Sequence, residues 1–207
     1  MPCGGMMRWL QGIHYRIPLF YDLQNRWKLG GDYDLRFRIA AHDVRPGESV
    51  LDLCAGFGQL KEYLPTDCAY RCIEASPEFA RILHQKKIPV FMHNLHQRPQ
   101  PDSLKADTAV MVVSLCHFRN TTADEILEML KTTARKVVIV EDVLTHPRGE
   151  RSFLQKAMNY LCRTDYYVPV ELFTAGEFQA LMHRHGYGCR RHDARYLVGR
   201  YGIIEQE

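Results

Sequence analysis

The chain has 207 residues, of which 46% are hydrophobic and 25% are charged, and it carries a formal net charge of +3. This composition is ordinary for a globular protein and corresponds to one domain of normal size, or to a domain with a short appendage. It excludes a highly charged disordered chain, and so small a net charge does not require a nucleic-acid partner. No apolar run approaches the roughly 18 residues of a membrane-spanning helix, so we expect a cytoplasmic protein without a transmembrane segment.

The seven cysteines are an odd number and are scattered along the chain. This distribution predicts reduced thiols and not a disulfide framework. Cys68 and Cys72 are close in sequence, but no second pair of cysteines or histidines completes a tetrahedral set of ligands. No metal site is therefore predicted.

The first 42 residues are predicted to form an N-terminal helical cap, which Pro18 divides into two helical pieces. This segment is rich in aromatic residues, and packing against the rest of the domain explains most of them. They are Trp9, Tyr15, Phe20, Tyr21, Trp27, Tyr33 and Phe37.

A buried strand at 50–53 is followed by a loop that contains Gly56 and Gly58 and by a helix at 59–64. Glycine permits positive φ angles and lets a ligand approach the backbone closely. The first amide groups of the helix would point at such a ligand. This order of elements begins a Rossmann-like sheet, but Lys61 occupies the position where a nicotinamide-binding loop has its third glycine.

Further elements follow in the same alternating pattern. Ser76 and Pro77 start a helix that runs to Lys87, and capping boxes that begin at Thr122 and Thr174 start two more. The remaining strands are predicted at 70–73, 89–93, 108–114 and 137–140, with a final hairpin at 189–192 and 196–203.

The pattern predicts an α/β domain at 43–207 with a Rossmann-like, seven-stranded, mostly parallel sheet and a C-terminal antiparallel hairpin. Residues 145–169 resemble an insertion and are expected to form part of a substrate wall.

The pattern Asp52-x-x-x-Gly56-x-Gly58 resembles the first motif of class I S-adenosylmethionine (SAM) methyltransferases, which usually have another glycine at the position of Cys54. The order of elements over roughly residues 43–204 resembles the same family. Residues 21–30 (YDLQNRWKLG) are similar to the N-terminal signature of methyltransferases of ubiquinone and menaquinone biosynthesis. That group usually has a Lys-Pro-Gly-Gly turn where this chain has residues 131–135 (KTTAR).

The resemblance implies SAM as the cofactor and S-adenosylhomocysteine (SAH) as the product. It assigns the amides of the glycine loop to the methionine carboxylate and Asp52 to the amino acid end of the cofactor. Glu74 ends the second predicted strand, 22 residues after Asp52, where an acid binds the ribose hydroxyls. His93 or Asn94 would contact the adenine. The predicted cofactor-binding residues are Tyr21, Asp52, Cys54, Ala55, Gly56, Gly58, Glu74, Ala75, His93, Asn94, Leu95, Ser114 and Leu115.

An acceptor with an acidic proton would need a general base with a pKa near neutrality, for which histidine is suited. His117 follows the fourth predicted strand and is the first candidate. His14, in the N-terminal segment, is the second. Each histidine also has a purely structural interpretation, as a residue that packs beside the cofactor or lies on the surface.

The sequence is compatible with three functions. The first is methyl transfer to a small-molecule or lipid-like acceptor, by a protein that could form a homodimer. The second is methylation of RNA or protein through the basic C-terminal quarter. The third is a non-catalytic SAM-binding partner subunit, which the cysteine at position 54 leaves open. The cationic residues of the C-terminal quarter are His183, Arg184, His185, Arg190, Arg191, His192, Arg195 and Arg200.

Overall fold

The computed structural model describes Arg26 and residues 33–97, 104–144 and 171–203. The strands in these ranges are β1 (Ser49–Leu53), β2 (Ala69–Glu74), β3 (Val90–Met92), β4 (Ala106–Val112), β5 (Ala134–Leu144), β6 (Phe173–Thr174), β7 (Gly188–Arg191) and β8 (Tyr196–Tyr201). The α-helices are α1 (Leu35–Ala41), α2 (Pro77–Gln85), α3 (Ala123–Thr133) and α4 (Ala175–Arg184), and short 3-10 helices span Gln59–Tyr63 and Leu115–Phe118.

The strands form one sheet in the order β3-β2-β1-β4-β5-β8-β7, and the two-residue β6 pairs with the end of β5. Strands β1 to β5 are parallel, whereas β8 and β7 are antiparallel to their neighbours in a terminal hairpin. The predicted Rossmann-like sheet is therefore confirmed. We call the edge at which β1, β2, β4 and β5 end the carboxyl edge.

Helices cover both faces of the sheet, because each central strand is apolar on both sides. In β5, Val138 and Val140 belong to a core that includes Phe37 of α1 and Leu83 of α2. The alternate residues of β5 belong to a second core, built with α3 and α4.

The helix-start signals are confirmed at two of three positions. The Ser76 side chain accepts a hydrogen bond from the amide of Phe79 at the start of α2. Thr174 and Glu177 form the predicted capping box of α4. The capping box at Thr122 is wrong, although α3 begins there, because the Thr122 hydroxyl donates to the carbonyl of Leu95 at 3.0 Å instead.

Some predicted element bounds also differ from those observed. Strand β5 runs well beyond 137–140 because it pairs with β4 on one side and β8 on the other. The predicted helix at 59–64 is a 3-10 helix. Helix α2 ends before Lys87, which has a φ of 57°.

Several predictions fall outside the described residues. They are most of the N-terminal helical cap, Tyr21, His14 and the insertion at 145–169. Among the described helices, none has the length and apolar character needed to cross a membrane.

Candidate functional site

The loop after β1 turns back on itself through left-handed backbone conformations. The φ angles of Cys54, Gly56 and Gly58 are 58°, 55° and 70°. Cys54 thus adopts a conformation that glycine takes without strain, at a cost of about 1 kcal/mol for an L-residue with a side chain. This explains physically why a glycine is usual at that position in the resembling family. The backbone shape of the loop is retained although the residue differs.

The two glycines of this loop have different surroundings. A Cβ at Gly58 would lie 2.8 Å from Leu83 Cδ2 and 3.0 Å from Ile88 Cδ1. A Cβ at Gly56 would have no heavy atom of the described ranges within 4 Å. Gly58 is therefore required for packing against α2, whereas Gly56 leaves open space in which a ligand can approach the backbone.

Glu74 ends β2 and points at this loop. Its Oε2 accepts a hydrogen bond from the amide of Gly56 at 2.8 Å, and its Oε1 accepts from the amides of Ala75 and Ser76, both at 2.8 Å. Burial raises the pKa of Glu74, and these three backbone hydrogen bonds act in the opposite direction. The acid and the glycine loop thus meet at the carboxyl edge. A carboxylate has about four acceptor sites in total, so about one site remains for a hydroxyl group of a ligand.

Asp52 is a buried acid beside Glu74, with 3% of its surface exposed. The Tyr70 hydroxyl donates a hydrogen bond to Asp52 Oδ2 at 2.5 Å. Burial raises the pKa of Asp52 to about 7, the Tyr70 hydrogen bond opposes the rise, and the charge of Glu74 adds to it. A cationic group of a ligand would be attracted to the ionised form of Asp52.

We expect this raised pKa to make ligand binding depend on pH. A ligand ammonium group binds the ionised carboxylate, which is incompletely formed below pH 7, so binding releases a proton. The affinity for SAH should rise by about tenfold from pH 6 to pH 8. Isothermal titration calorimetry in buffers across this range measures the slope. The dependence of affinity on pH should disappear in Asp52→Asn and persist in the control Asp67→Asn, which changes an exposed acid. A wild-type affinity that does not change with pH would contradict the binding of the ligand ammonium group by Asp52.

Glu141 is a third acid at the carboxyl edge that the sequence did not identify as functional. It is fully buried near the end of β5, and its Oε2 accepts from the amide of Cys116 at 3.2 Å. Burial raises its pKa to about 8. Burial also raises the pKa of the Cys54 thiol, and Glu74, Asp52 and Glu141 raise it further. The three acids therefore surround Cys54. Within the described ranges, no group of histidine, cysteine and acidic side chains is arranged to hold a metal ion.

His93 and Asn94 lie at the end of β3, and both are half-buried. His93 Nε2 is 3.0 Å from the carbonyl oxygen of Gln97, and Asn94 Oδ1 accepts from the amide of His96 at 3.0 Å. Both side chains thus shape their own loop next to Glu74. The next predicted residue, Leu95, has its side chain in the core.

The predicted residues after β4 are adjacent in the structure. The Ser114 hydroxyl donates to the carbonyl of Val112 at 2.9 Å, and Leu115 is fully buried in the core. His117 is half-buried in the 3-10 helix that follows, and its amide donates to the carbonyl of Ser114 at 3.2 Å. The Leu115 side chain is therefore closed to a ligand, which at this position could contact only the backbone.

Solved structures similar to this one include several methyltransferases. The O-methyltransferase family protein from Burkholderia thailandensis is 15% identical, with a TM-score of 0.63 over 87% of this chain and 58% of that chain. The SAM-dependent methyltransferase from Aquifex aeolicus is 14% identical, with a TM-score of 0.59 over 90% of this chain and 96% of that chain. Human N-acetylserotonin methyltransferase, solved with SAM, is 14% identical, with a TM-score of 0.60 over 92% of this chain and 58% of that chain.

No protein-family model matches the sequence, and comparison with curated protein sequences finds no match. The chain spans less than two thirds of the length of the Burkholderia and human structures, and nearly the full length of the Aquifex one. At these identities the similarity shows the fold and does not identify the substrate. The chain has the fold of SAM-dependent methyltransferases.

Proposed function

We propose that the protein is a SAM-dependent methyltransferase that acts on a small-molecule acceptor. The observation that carries the proposal is the hydrogen bond between Glu74 Oε2 and the amide of Gly56. It brings an acid at the end of β2 against a glycine loop at the end of β1, which is the arrangement expected of a site for a nucleoside ligand. The shared fold with O-methyltransferases supports the same activity.

In this proposal, the residues of the loop and of two strand ends divide the binding of SAM. Amides of the glycine loop would bind the methionine carboxylate, Asp52 would attract the ammonium group, and Glu74 would bind the ribose hydroxyls. When bound, SAM supplies a methyl group already activated by the sulfonium. The protein's own residues then have to orient the acceptor and exclude water.

The activity can be tested without knowing the acceptor. Calorimetry should detect SAH binding, and SAH should be released from SAM in a mixture of phenolic and catecholic acceptors. Absence of SAH binding would refute the proposal. Binding without methyl transfer to any acceptor would favour the non-catalytic partner subunit instead.

His117 is proposed as the general base because it lies just beyond the end of β4, at the carboxyl edge. We expect His117→Ala to lower turnover by about a hundredfold, as is typical for loss of a general base, with the affinity for SAH unchanged. Steady-state kinetics together with calorimetry separates the two effects. His84→Ala, on the exposed side of α2, is the matched control and should behave as wild type. Unchanged turnover in His117→Ala would dismiss His117 as the base.

The acceptor class is the finer part of the proposal. The similarity of residues 21–30 to the signature of quinone-biosynthesis methyltransferases supports a lipid-like acceptor, whereas the sequence at 131–135 departs from that group. A homodimer and a cytoplasmic location stay predictions from the sequence.

The RNA or protein alternative receives no support from Arg190, Arg191, His192 and Arg200, which line a groove away from the glycine loop. A groove of about 900 Å³ begins at the amino-terminal ends of β4 and β5, on the edge opposite Glu74, and extends along β7. Its acids already pair with part of the positive charge, in the ion pairs Arg135–Asp107, Lys136–Glu48 and Arg200–Asp43. An acceptor held in this groove would be separated from the glycine loop by the length of the strands. The small-molecule proposal is therefore preferred.

A further inference from the structure

Arg36 of α1 is a buried cation whose burial the core does not explain. Only 7% of its surface is exposed, and its Nε is buried without a hydrogen-bond partner among the residues that the structure describes. The guanidinium lies over the rings of Tyr33 and Phe37, at 4.3 and 4.7 Å from the ring centroids. Aromatic faces compensate only part of the cost of removing a cation from water. A buried guanidinium whose positive charge is only partly compensated is suited to binding the anionic group of a ligand.

Asp142, an acid close enough to interact with Arg36, is already engaged by another cation. Asp142 Oδ2 accepts hydrogen bonds from Arg195 at 2.9 Å from Nε and 2.7 Å from a terminal nitrogen. Burial raises the pKa of Asp142, and Arg195 and then Arg36 oppose the rise. Arg36 is thus near enough to influence Asp142, but the hydrogen bonds of Asp142 belong to Arg195. Arg26 adds a second guanidinium over the Tyr33 ring, at 4.6 Å. Two guanidinium groups therefore lie over one ring, and the adjacent acid Asp34 is hydrogen-bonded to Tyr63.

Two neighbours of Arg36, Tyr33 beneath its guanidinium and Asp142 within its electrostatic reach, place it beside the proposed cofactor site. The Tyr33 hydroxyl accepts a hydrogen bond from Gln59 Nε2 at 2.5 Å, and Gln59 directly follows the last glycine of the loop. On the other side, Asp142 lies near the carboxyl end of β5. Arg36 therefore lies between the glycine loop and the end of β5.

The order of the strands separates this position from the ribose-binding acid. Glu74 is on β2, and β1 and β4 stand between β2 and β5. Neighbouring strands are about 4.8 Å apart, so the ends of β2 and β5 are separated by roughly 14 Å. A nucleoside held at Glu74 would direct its amino acid end, or an acceptor beside it, toward Arg36.

We propose that Arg36 binds a carboxylate of the ligand that occupies the carboxyl edge of the sheet. The proposal rests on the proposed function, and the carboxylate has two possible sources: the methionine part of the cofactor or an acid group of the methyl acceptor. The planar guanidinium matches a carboxylate through two parallel hydrogen bonds, which a lysine ammonium does not reproduce.

The first experiment compares the binding of SAH with that of methylthioadenosine, which lacks the amino acid carboxylate. If the carboxylate is the cofactor's, Arg36→Gln should weaken SAH binding at least tenfold and leave methylthioadenosine binding unchanged. Arg36→Lys should recover only part of the loss. Arg38→Gln, an exposed position on the same helix, is the matched control and should bind SAH as wild type does.

The second experiment uses benzoate and the neutral benzamide as probes with SAH-saturated protein. If the carboxylate is the acceptor's, benzoate should raise the melting temperature of wild type and of Arg38→Gln, but not of Arg36→Gln, and benzamide should raise none of them. The proposal would be overturned if Arg36→Gln bound SAH as wild type does and benzoate raised the melting temperature of wild type and of Arg36→Gln equally or not at all. Failure of wild type to bind either nucleoside would refute the proposed function instead, and the benzoate experiment without SAH would still test Arg36.

A stability measurement separates this role from a structural one. Arg36→Met keeps the packing volume and removes the buried charge, so its melting temperature should equal or exceed that of wild type. A melting temperature well below that of wild type would show that Arg36 supports the fold, and would overturn the proposal.

Discussion

Alanine at Gly56 should abolish SAH binding in a folded protein, whereas alanine at Gly58 should damage the fold itself. Both residues have positive φ, which costs an alanine about 1 kcal/mol. At Gly56 the added Cβ enters open space, where the cofactor would approach the loop. At Gly58 it meets Leu83 Cδ2 at 2.8 Å, so overpacking adds to the strain and the total loss should be about 3 kcal/mol.

Urea denaturation and calorimetry on the two variants measure stability and binding separately. Gly56→Ala should lose about 1 kcal/mol of stability and more than a hundredfold in affinity for SAH, because its Cβ occupies the ligand's space. Each variant serves as the control for the other, since both place the same methyl group on the same loop. Wild-type affinity in Gly56→Ala would contradict the position of the site.

Glutamine at Glu74 should reduce the affinity for SAH by about a hundredfold and should also lower stability measurably. A charge-assisted hydrogen bond from a ribose hydroxyl to the acceptor site that the backbone leaves on Glu74 contributes about 1.5–3 kcal/mol, most of which is lost when the carboxylate becomes an amide. Stability should fall by about 1–3 kcal/mol because the NH2 group of glutamine cannot accept a hydrogen bond, so at least one of the amides of Gly56, Ala75 and Ser76 loses its partner. The amide oxygen of glutamine can still accept some of the hydrogen bonds that the backbone donates at this position.

Calorimetry with SAH measures the loss, and thermal unfolding checks the fold. Glu62→Gln makes the same chemical change at an exposed position in the neighbouring 3-10 helix and should bind SAH as wild type does. Equal affinities for wild type and Glu74→Gln would remove the ribose-binding role of Glu74. Adenosine, which carries the same ribose hydroxyls, should lose affinity in the same proportion.

Local patterns were sufficient to predict the fold and the position of the candidate site. Apolar runs of strand length identify β1 and β4, and glycines with an acid just before them identify the loop. Glu74 is predicted because it ends the strand after the loop, and parallel strands end at a common edge. These signals depend only on residues that are close in sequence, which is why they are reliable.

Residues whose role depends on contacts across the sheet were not predicted. Tyr70 reaches Asp52 only because β1 and β2 pair with Val50 opposite Tyr70. A buried tyrosine in a strand needs a hydrogen-bond partner, so Tyr70 in an apolar strand was the signal in the sequence for a polar partner nearby. Glu141 was visible at the end of a strand, but its burial depends on the segment after β4. Strand register and burial are properties of the folded chain.

Arg36 and Thr122 also have partners that local sequence does not predict. Arg36 lies one residue into α1, and neither its stacking on Tyr33 nor the engagement of Asp142 by Arg195 has a local pattern. The sequence around Thr122 has the form of a capping box, yet its hydroxyl bonds a carbonyl from a distant loop. A local motif predicts what a side chain can do, and tertiary contacts decide which partner it takes.

A crystal structure of the protein grown with SAH tests the position of the cofactor site most directly. We predict electron density for the nucleoside at the carboxyl edge, with a ribose hydroxyl within hydrogen-bond distance of Glu74 and the ligand against the open side of Gly56. Nucleoside density in the basic groove at the opposite edge, or a Glu74 carboxylate with no contact to the bound ligand, would contradict it.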